Sequence, residues 1–159
     1  MEKKKNVLVS ACLLGFCCRY DGKGKKFPAV EELMDLCNLI PVCPEQMGGL
    51  TTPRKPAEQR GDKVAAEDGS DVTKEYRRGA EEAVKAASLY GCRYALLKER
   101  SPSCGSGKVY DGTFSRTLIE GDGRAAAALK SRGVMVFGES RIEDLKRCLL
   151  QEFQKTANE

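Results

Sequence analysis

The sequence predicts a three-layer α/β fold, with a mainly parallel sheet carrying helices on both faces, Rossmann-like or flavodoxin-like, and a small β-hairpin. Three observations predict it. Short apolar runs alternate with segments of helical periodicity along the chain, the pattern of a parallel sheet covered on both faces. The first run has lysines before it and a glycine-containing loop after it, as strands of such sheets do. The chain has 159 residues, 41% hydrophobic and 31% charged, enough for one domain with a real core. Residues 1–159 are therefore expected to form one domain, with 156–159 a frayed tail.

The elements follow in order. Val7–Cys12 reads as a short buried strand ended by Gly15. Pro28–Cys37 reads as a short helix, with proline in its first turn and Val30, Leu33, Met34 and Cys37 at helical spacing. Asn38–Glu45 is a second strand, ending near Cys43. Cys43–Gly61 shows little periodicity of either kind, and a loop this long in a compact domain points to function; Glu45, Arg54 and Glu58 lie on it. Asp71 or Thr73 caps a helix running to about Tyr90, with Val72, Tyr76, Ala80, Ala83, Ala87 and Tyr90 on its inner stripe and Gly91 ending it. Arg93–Glu99 is the third strand. In Lys108–Phe114 an Asp-Gly pair between β-formers signals a hairpin. Gly121–Gly133 is a glycine-led helix, Val134–Gly138 a fourth strand, and Ser140–Lys155 a final helix whose face is Ile142, Leu145, Cys148, Leu149 and Phe153.

Composition removes several chemistries. The chain has no histidine, which excludes a Ser-His-Asp triad, a Cys-His dyad and any His-ligated metal. Acid–base work falls to carboxylates, hydroxyls, thiols or lysines. The net charge of +4 is a weak nucleic-acid signal, and the lysines of Asp21–Phe27 read as a solvated loop. No apolar run approaches the ~20 residues of a membrane helix. The opening MEKKKNVLVSAC resembles a lipoprotein cleavage box at Cys12, but its apolar stretch is shorter than the ~7–15 residues a leader needs. It reads as a cytoplasmic first strand.

The 8 cysteines sort by position. Cys12, Cys43 and Cys104 each fall at the carboxyl end of a different predicted strand, where open α/β sheets bind ligands. Cys37 and Cys148 lie on apolar helix faces and Cys92 follows a helix end, so all three read as small buried hydrophobes. Cys17 and Cys18 are adjacent and poorly placed to share one metal; Cys18 is a candidate for lining the site. Three convergent thiolates without histidine suggest an iron–sulfur cluster or a thiolate zinc site, but the chain lacks the close Cys-x-x-Cys pairs of zinc sites. Buried packing residues, metal ligands and redox or nucleophilic thiols all remain open readings on pattern alone.

The segments VSACLLG, CRYDG, CPEQMGGLTTPRKPAE, DVTKEYRRGA, LLKERSPSCGSGKVYDGTF and GDGRAAAAL, spread over about Val7–Phe137, resemble the thiouracil desulfidases, part of a bacterial and archaeal family first catalogued as a domain of unknown function. The resemblance implies a 4Fe-4S cluster held by Cys12, Cys43 and Cys104, with one iron open. It implies Glu45 as the catalytic carboxylate and Ser101 as the catalytic hydroxyl, with Ser103 a nearby alternative. The implied chemistry is a non-redox desulfuration of a thiolated pyrimidine, thiouracil or thiouridine monophosphate. The open iron polarises the thiocarbonyl, water attacks with Glu45 as general base, and sulfur leaves as sulfide. A substrate within transfer RNA is less favoured, because no further RNA-binding segment is visible. The rival readings are a non-catalytic iron–sulfur module and a zinc-binding module, for sensing or redox.

Around these residues, Pro102 and the glycines set a tight turn that presents Cys104. Ser103, Arg54 and Glu58 are candidates for the substrate pocket, the last two also for tying down the long loop. Arg100 is expected to pair with Glu99 or Glu58, with holding an anion the alternative; Tyr20 and Asp21 to shape a turn, with substrate binding the alternative; and Gly121, Asp122 and Gly123 to cap a helix, with an anion such as a nucleotide phosphate the alternative.

Overall fold

The computed structural model describes residues 3–159. Its centre is a parallel sheet of β1 (Lys5–Ser10), β2 (Cys37–Val42), β5 (Tyr94–Leu97) and β8 (Met135–Gly138), in the order β2-β1-β5-β8. The order reverses at β1, whose neighbours are β2 on one side and β5 on the other. A crevice therefore opens beyond the carboxyl ends of these strands, at a topological switch point.

Alternation along the strands divides the core in two. Val7, Val9, Tyr94, Leu96 and Phe137 pack on one face, under Val30 of α1 (Ala29–Glu32) and Ile142, Leu145 and Leu149 of α5 (Ile142–Ala157). Leu8, Ala95, Leu97 and Val136 pack on the other, under Ala87 of α3 (Thr73–Leu89) and Ala126 and Leu129 of α4 (Arg124–Ser131). Successive residues of one strand thus serve opposite layers, as the two-residue side-chain period requires. Ala80, Ala83 and Ala125 fill the seam between α3 and α4, where small side chains let the helices close. The three-layer α/β architecture read from the sequence is the one present.

Four details differ from expectation. The helix after Pro28 is short: α1 tightens into a 3₁₀ turn over Leu33–Asp35, and Cys37 is already the first residue of β2 rather than part of a helical face. The long loop carries structure of its own: α2 (Pro44–Met47), then a hairpin of β3 (Ala57–Arg60) and β4 (Lys63–Ala66). Neither strand joins the main sheet, and β3, with the sequence AEQR, carries no apolar alternation. The second hairpin pairs β6 (Lys108–Tyr110) with β7 (Leu118–Glu120), so Asp111-Gly112 opens a longer turn instead of forming the whole of it. The final helix continues to Ala157, with the Thr156 hydroxyl donating to the Glu152 and Phe153 carbonyls.

Among the described residues, no helix is long and apolar enough to cross a membrane.

Candidate active site

Each strand of the switch point delivers one thiol. β1 ends at Ser10, and the chain tightens into a 3₁₀ turn, Ala11–Leu14, that holds Cys12. Gly15, at φ 93°, closes the turn with its N–H on the Cys12 carbonyl. The loop beyond returns to the same turn, Lys25 N donating to Cys12 O and Phe27 N to Leu13 O, which brings Cys18 back beside Cys12. Cys43 follows β2 directly and precedes α2. Cys104 lies in the turn after β5, where Gly105 N donates to the Ser101 carbonyl.

Cys12, Cys18, Cys43 and Cys104 all line one cavity of about 540 Å³. Cys12 is 8% exposed, Cys18 and Cys104 5% each. The Cys18 thiol sits close enough to those of Cys12 and Cys43 for both to shift its proton affinity, and the Cys43 thiol donates to the Cys18 carbonyl at 3.7 Å. Burial pushes the Cys104 thiol up to about 12, against the pull of the Ser10 hydroxyl and of the Ser103 hydroxyl that donates to its sulfur at 3.6 Å. The Cys43 thiol is raised first by the neighbouring Cys18 thiol and then by burial, and Cys18 is raised first by Cys12. Such thiols keep their protons until a soft metal displaces them. Cys17 is exposed, and Cys37, Cys92 and Cys148 lie elsewhere in the layers, away from the cavity.

A thiol-rich donor set without imidazole fits an iron–sulfur cluster. Among the described residues no three Cys, Asp or Glu side chains gather closely enough to hold a single metal ion. A mononuclear zinc site needs that gathering, with Zn–S bonds of about 2.3 Å. Thiolates that bind different irons of one cluster do not.

Glu45 stands on α2 at the cavity wall, fixed through both oxygens. Oε1 accepts from the Tyr76 hydroxyl at 2.5 Å and from Arg54 Nε at 3.4 Å; Oε2 accepts from the Ser103 hydroxyl at 3.1 Å. Arg54 also donates to the carbonyls of Thr51 and Cys18 and to the Thr52 hydroxyl, so one guanidinium joins the carboxylate to the Cys18 loop. Tyr76 is buried on α3, and burial followed by the Glu45 charge drives its phenol far above the ordinary range. It is a permanent donor. Helix α2 reaches α3 because residue 79 is glycine: a Cβ there would collide with the Pro44 carbonyl.

Ser101 lines the cavity, while its oxygen accepts from the amides of Ser103 at 3.2 Å and Cys104 at 3.1 Å. Ser103 is 1% exposed and lies behind the wall, with its hydroxyl between Ser101, Glu45 and the Cys104 sulfur. Glu58 lines the cavity and accepts from the amides of Gly112 and Phe114, which holds the β6–β7 turn over the opening.

Arg100 pairs with neither Glu99 nor Glu58, contrary to expectation. Glu99 caps Ser140 instead, and Arg100 sits at φ 67° on the cavity rim. Asp21 forms the expected turn, accepting from Lys23 N at 3.0 Å. Gly123 takes the N-cap position of α4, whereas Asp122 binds Gly107 N and Lys130. Sequence reasoning placed Tyr76 in the core and gave no role to Lys98 or Arg116, which also line the cavity. A phenol in the middle of the predicted inner stripe, between Val72 and Ala80, was the available signal for Tyr76, since a buried phenol needs a partner.

Fold and cavity together define an α/β protein with a thiol-lined, carboxylate-bearing pocket at the carboxyl edge of a parallel sheet. The model of the 2-thiouracil desulfurase family matches residues 7–141, and the chain belongs to that family. The solved structure of TudS, a 4Fe-4S-dependent thiouracil desulfidase, is 44% identical, superposes with a TM-score of 0.89, and is matched over 93% of this chain and 99% of its own. YbbK of Bacillus subtilis strain 168, an uncharacterised protein, is 40% identical over 149 residues, 87% of this chain and 99% of the relative.

Proposed function

We propose that the chain is a cytoplasmic, iron–sulfur-dependent desulfidase that hydrolyses a thiolated pyrimidine to the oxo-pyrimidine. In the balanced reaction the C=S carbon gains the oxygen of one water and loses its sulfur as hydrogen sulfide, with no change in oxidation state. The observation that carries this reading is Glu45, a carboxylate fixed through both oxygens on a wall that also bears four thiols. Cys12, Cys43 and Cys104 would hold a 4Fe-4S cluster and leave one iron open. When bound, the cluster supplies a thiophilic Lewis acid that polarises the thiocarbonyl.

The remaining work belongs to the chain. Glu45 takes the proton of the attacking water at a carboxylate oxygen and returns one to the departing sulfur. Tyr76 and Arg54 hold Oε1 in place, so Oε2 is the freer oxygen for proton transfer, in contact with Ser103. Ser101, on the cavity wall with Ser103 behind it, orients substrate or water. Glu58 keeps the β6–β7 turn closed over the pocket.

The rim favours a nucleoside monophosphate over a free base. Arg100 and Arg116 both line the cavity, and neither has a carboxylate partner among the described residues. Both have left-handed backbones, at φ 67° and 61°, a cost of order 1–3 kcal/mol each that clusters at functional sites. Two guanidiniums at the mouth suit a phosphate.

The test is anaerobic sulfide release from 2-thiouracil and 4-thiouridine monophosphate by protein reconstituted with iron and sulfide. Release that falls at least ~100-fold in Glu45→Gln with iron content unchanged supports the reading. Equal rates in the two proteins reject Glu45 as the base, and no release from either substrate rejects the desulfidase reading.

A further inference from the structure

Lys98 is a charged group on the cavity wall that the reaction above does not use. It follows β5 directly, and its amide donates to the hydroxyl of Ser10, the buried last residue of β1, at 2.9 Å. Its ammonium donates to Glu139 Oε1 at 2.7 Å and to the Glu99 carbonyl at 3.2 Å. The other Glu139 oxygen accepts the Glu99 amide at 2.7 Å, which locks the carboxylate in turn. The Lys98 side chain is 24% exposed and lines the cavity. An ammonium has three donors. Two are committed here, on a side chain whose rotamer is fixed from both ends.

Its place in the fold gives the third donor a purpose. Glu45 follows β2, and Lys98 follows β5 on the far side of β1. The Glu45 carboxylate reaches Ser103 in the turn after β5, while the Lys98 ammonium is drawn toward Glu139 after β8, and both side chains line the same cavity. A thiolated uracil carries a thiocarbonyl and one remaining exocyclic carbonyl. With sulfur toward the thiols, that oxygen needs a donor, because a buried acceptor left unpaired is costly. Arg54, a buried cation on the same wall, is spent on Glu45, Thr51, Thr52 and Cys18.

We propose that the Lys98 ammonium, held by Glu139, donates to the remaining ring carbonyl of the substrate and makes that carbonyl a requirement for recognition. This rests on the desulfidase reading. A site built to hydrogen-bond one substrate group rejects the analogue that lacks it.

The experiment compares 2-thiouracil with pyrimidine-2-thione, which keeps the thiocarbonyl and lacks the carbonyl, on reconstituted wild type and Lys98→Met. Uracil binding is measured by calorimetry on the same proteins. Wild type should prefer 2-thiouracil in kcat/KM by ~10–100-fold, chiefly through KM, and Lys98→Met should erase the preference and weaken uracil binding by a similar factor. A purely structural lysine would lower both substrates alike and leave the ratio intact, which overturns the proposal. Should Lys98→Met fold poorly, Lys98→Met with Glu139→Met leaves no carboxylate unpartnered and must show the same loss of preference. If wild type releases sulfide but its preference survives in the variants, Lys98 alone fails. If wild type neither releases sulfide nor binds uracil, the desulfidase reading and this proposal fall together.

Discussion

The Tyr76 hydroxyl meets Glu45 Oε1 at 2.5 Å, joining a helix that flanks the sheet to the short helix that follows Cys43. The phenol holds the carboxylate in one orientation and cannot take its proton, since burial and the neighbouring charge keep the hydroxyl protonated.

Tyr76→Phe keeps the ring and removes that bond. A hydrogen bond to a charged group is worth ~1.5–3 kcal/mol, so kcat should fall by ~10–100-fold with iron content unchanged. Steady-state sulfide release with parallel iron analysis reads both.

Ser101→Ala acts on the scaffold as well as the pocket. The amides of Ser103 and Cys104 lose their shared acceptor, at a cost of ~1–3 kcal/mol. Thermal melting should show the loss, and iron retention should drop because the turn presenting Cys104 loosens. A variant with wild-type melting and iron content would place Ser101 in chemistry alone.

Gly79→Ala tests the contact that brings Glu45 to its partners. The added methyl meets the Pro44 carbonyl, one residue before Glu45. Overpacking of ~1–3 kcal/mol is expected, with loss of turnover exceeding the loss of stability. Melting and kcat, measured together, separate the two.

Alkali should weaken the fold through groups remote from the cavity. Burial pushes Cys37 and Cys92 up to about 11, and Tyr94 up to about 12 with further help from Glu152. Unfolded thiols ionise near ~8.5 and phenols near ~10, so the folded chain keeps protons that the unfolded chain has lost. Stability from these groups is complete below about pH 8.5 and is lost as pH rises through ~11–12. Urea midpoints under reducing conditions should fall between about pH 8 and about pH 10.5.

The main sheet was legible because its strands are buried on both faces: Tyr94–Leu97 is apolar without interruption and followed by turn residues. The strand ends pick out Cys12, Cys43 and Cys104 on sequence pattern alone, since ligand sites of such sheets sit there. The β3–β4 hairpin was hidden because its strand Ala57–Arg60 is short, half-buried and polar. Lys98 and Arg116 were hidden for a different reason. A surface lysine and a lysine locked between Ser10, Glu99 and Glu139 look the same in sequence, and only the long-range partners at positions 10 and 139 tell them apart. The pairing expected for Arg100 failed because sequence proximity to Glu99 says nothing about a backbone that turns left-handed between them and the cavity.

The most direct measurement is iron and acid-labile sulfide content after anaerobic reconstitution, on wild type and on single Ser variants of Cys12, Cys43 and Cys104, with Cys17→Ser as a control. Equal iron and sulfide in wild type and Cys17→Ser, with large losses in the other three, establish the three-cysteine centre. Wild-type protein that takes up no iron, or takes up zinc in its place, would contradict it.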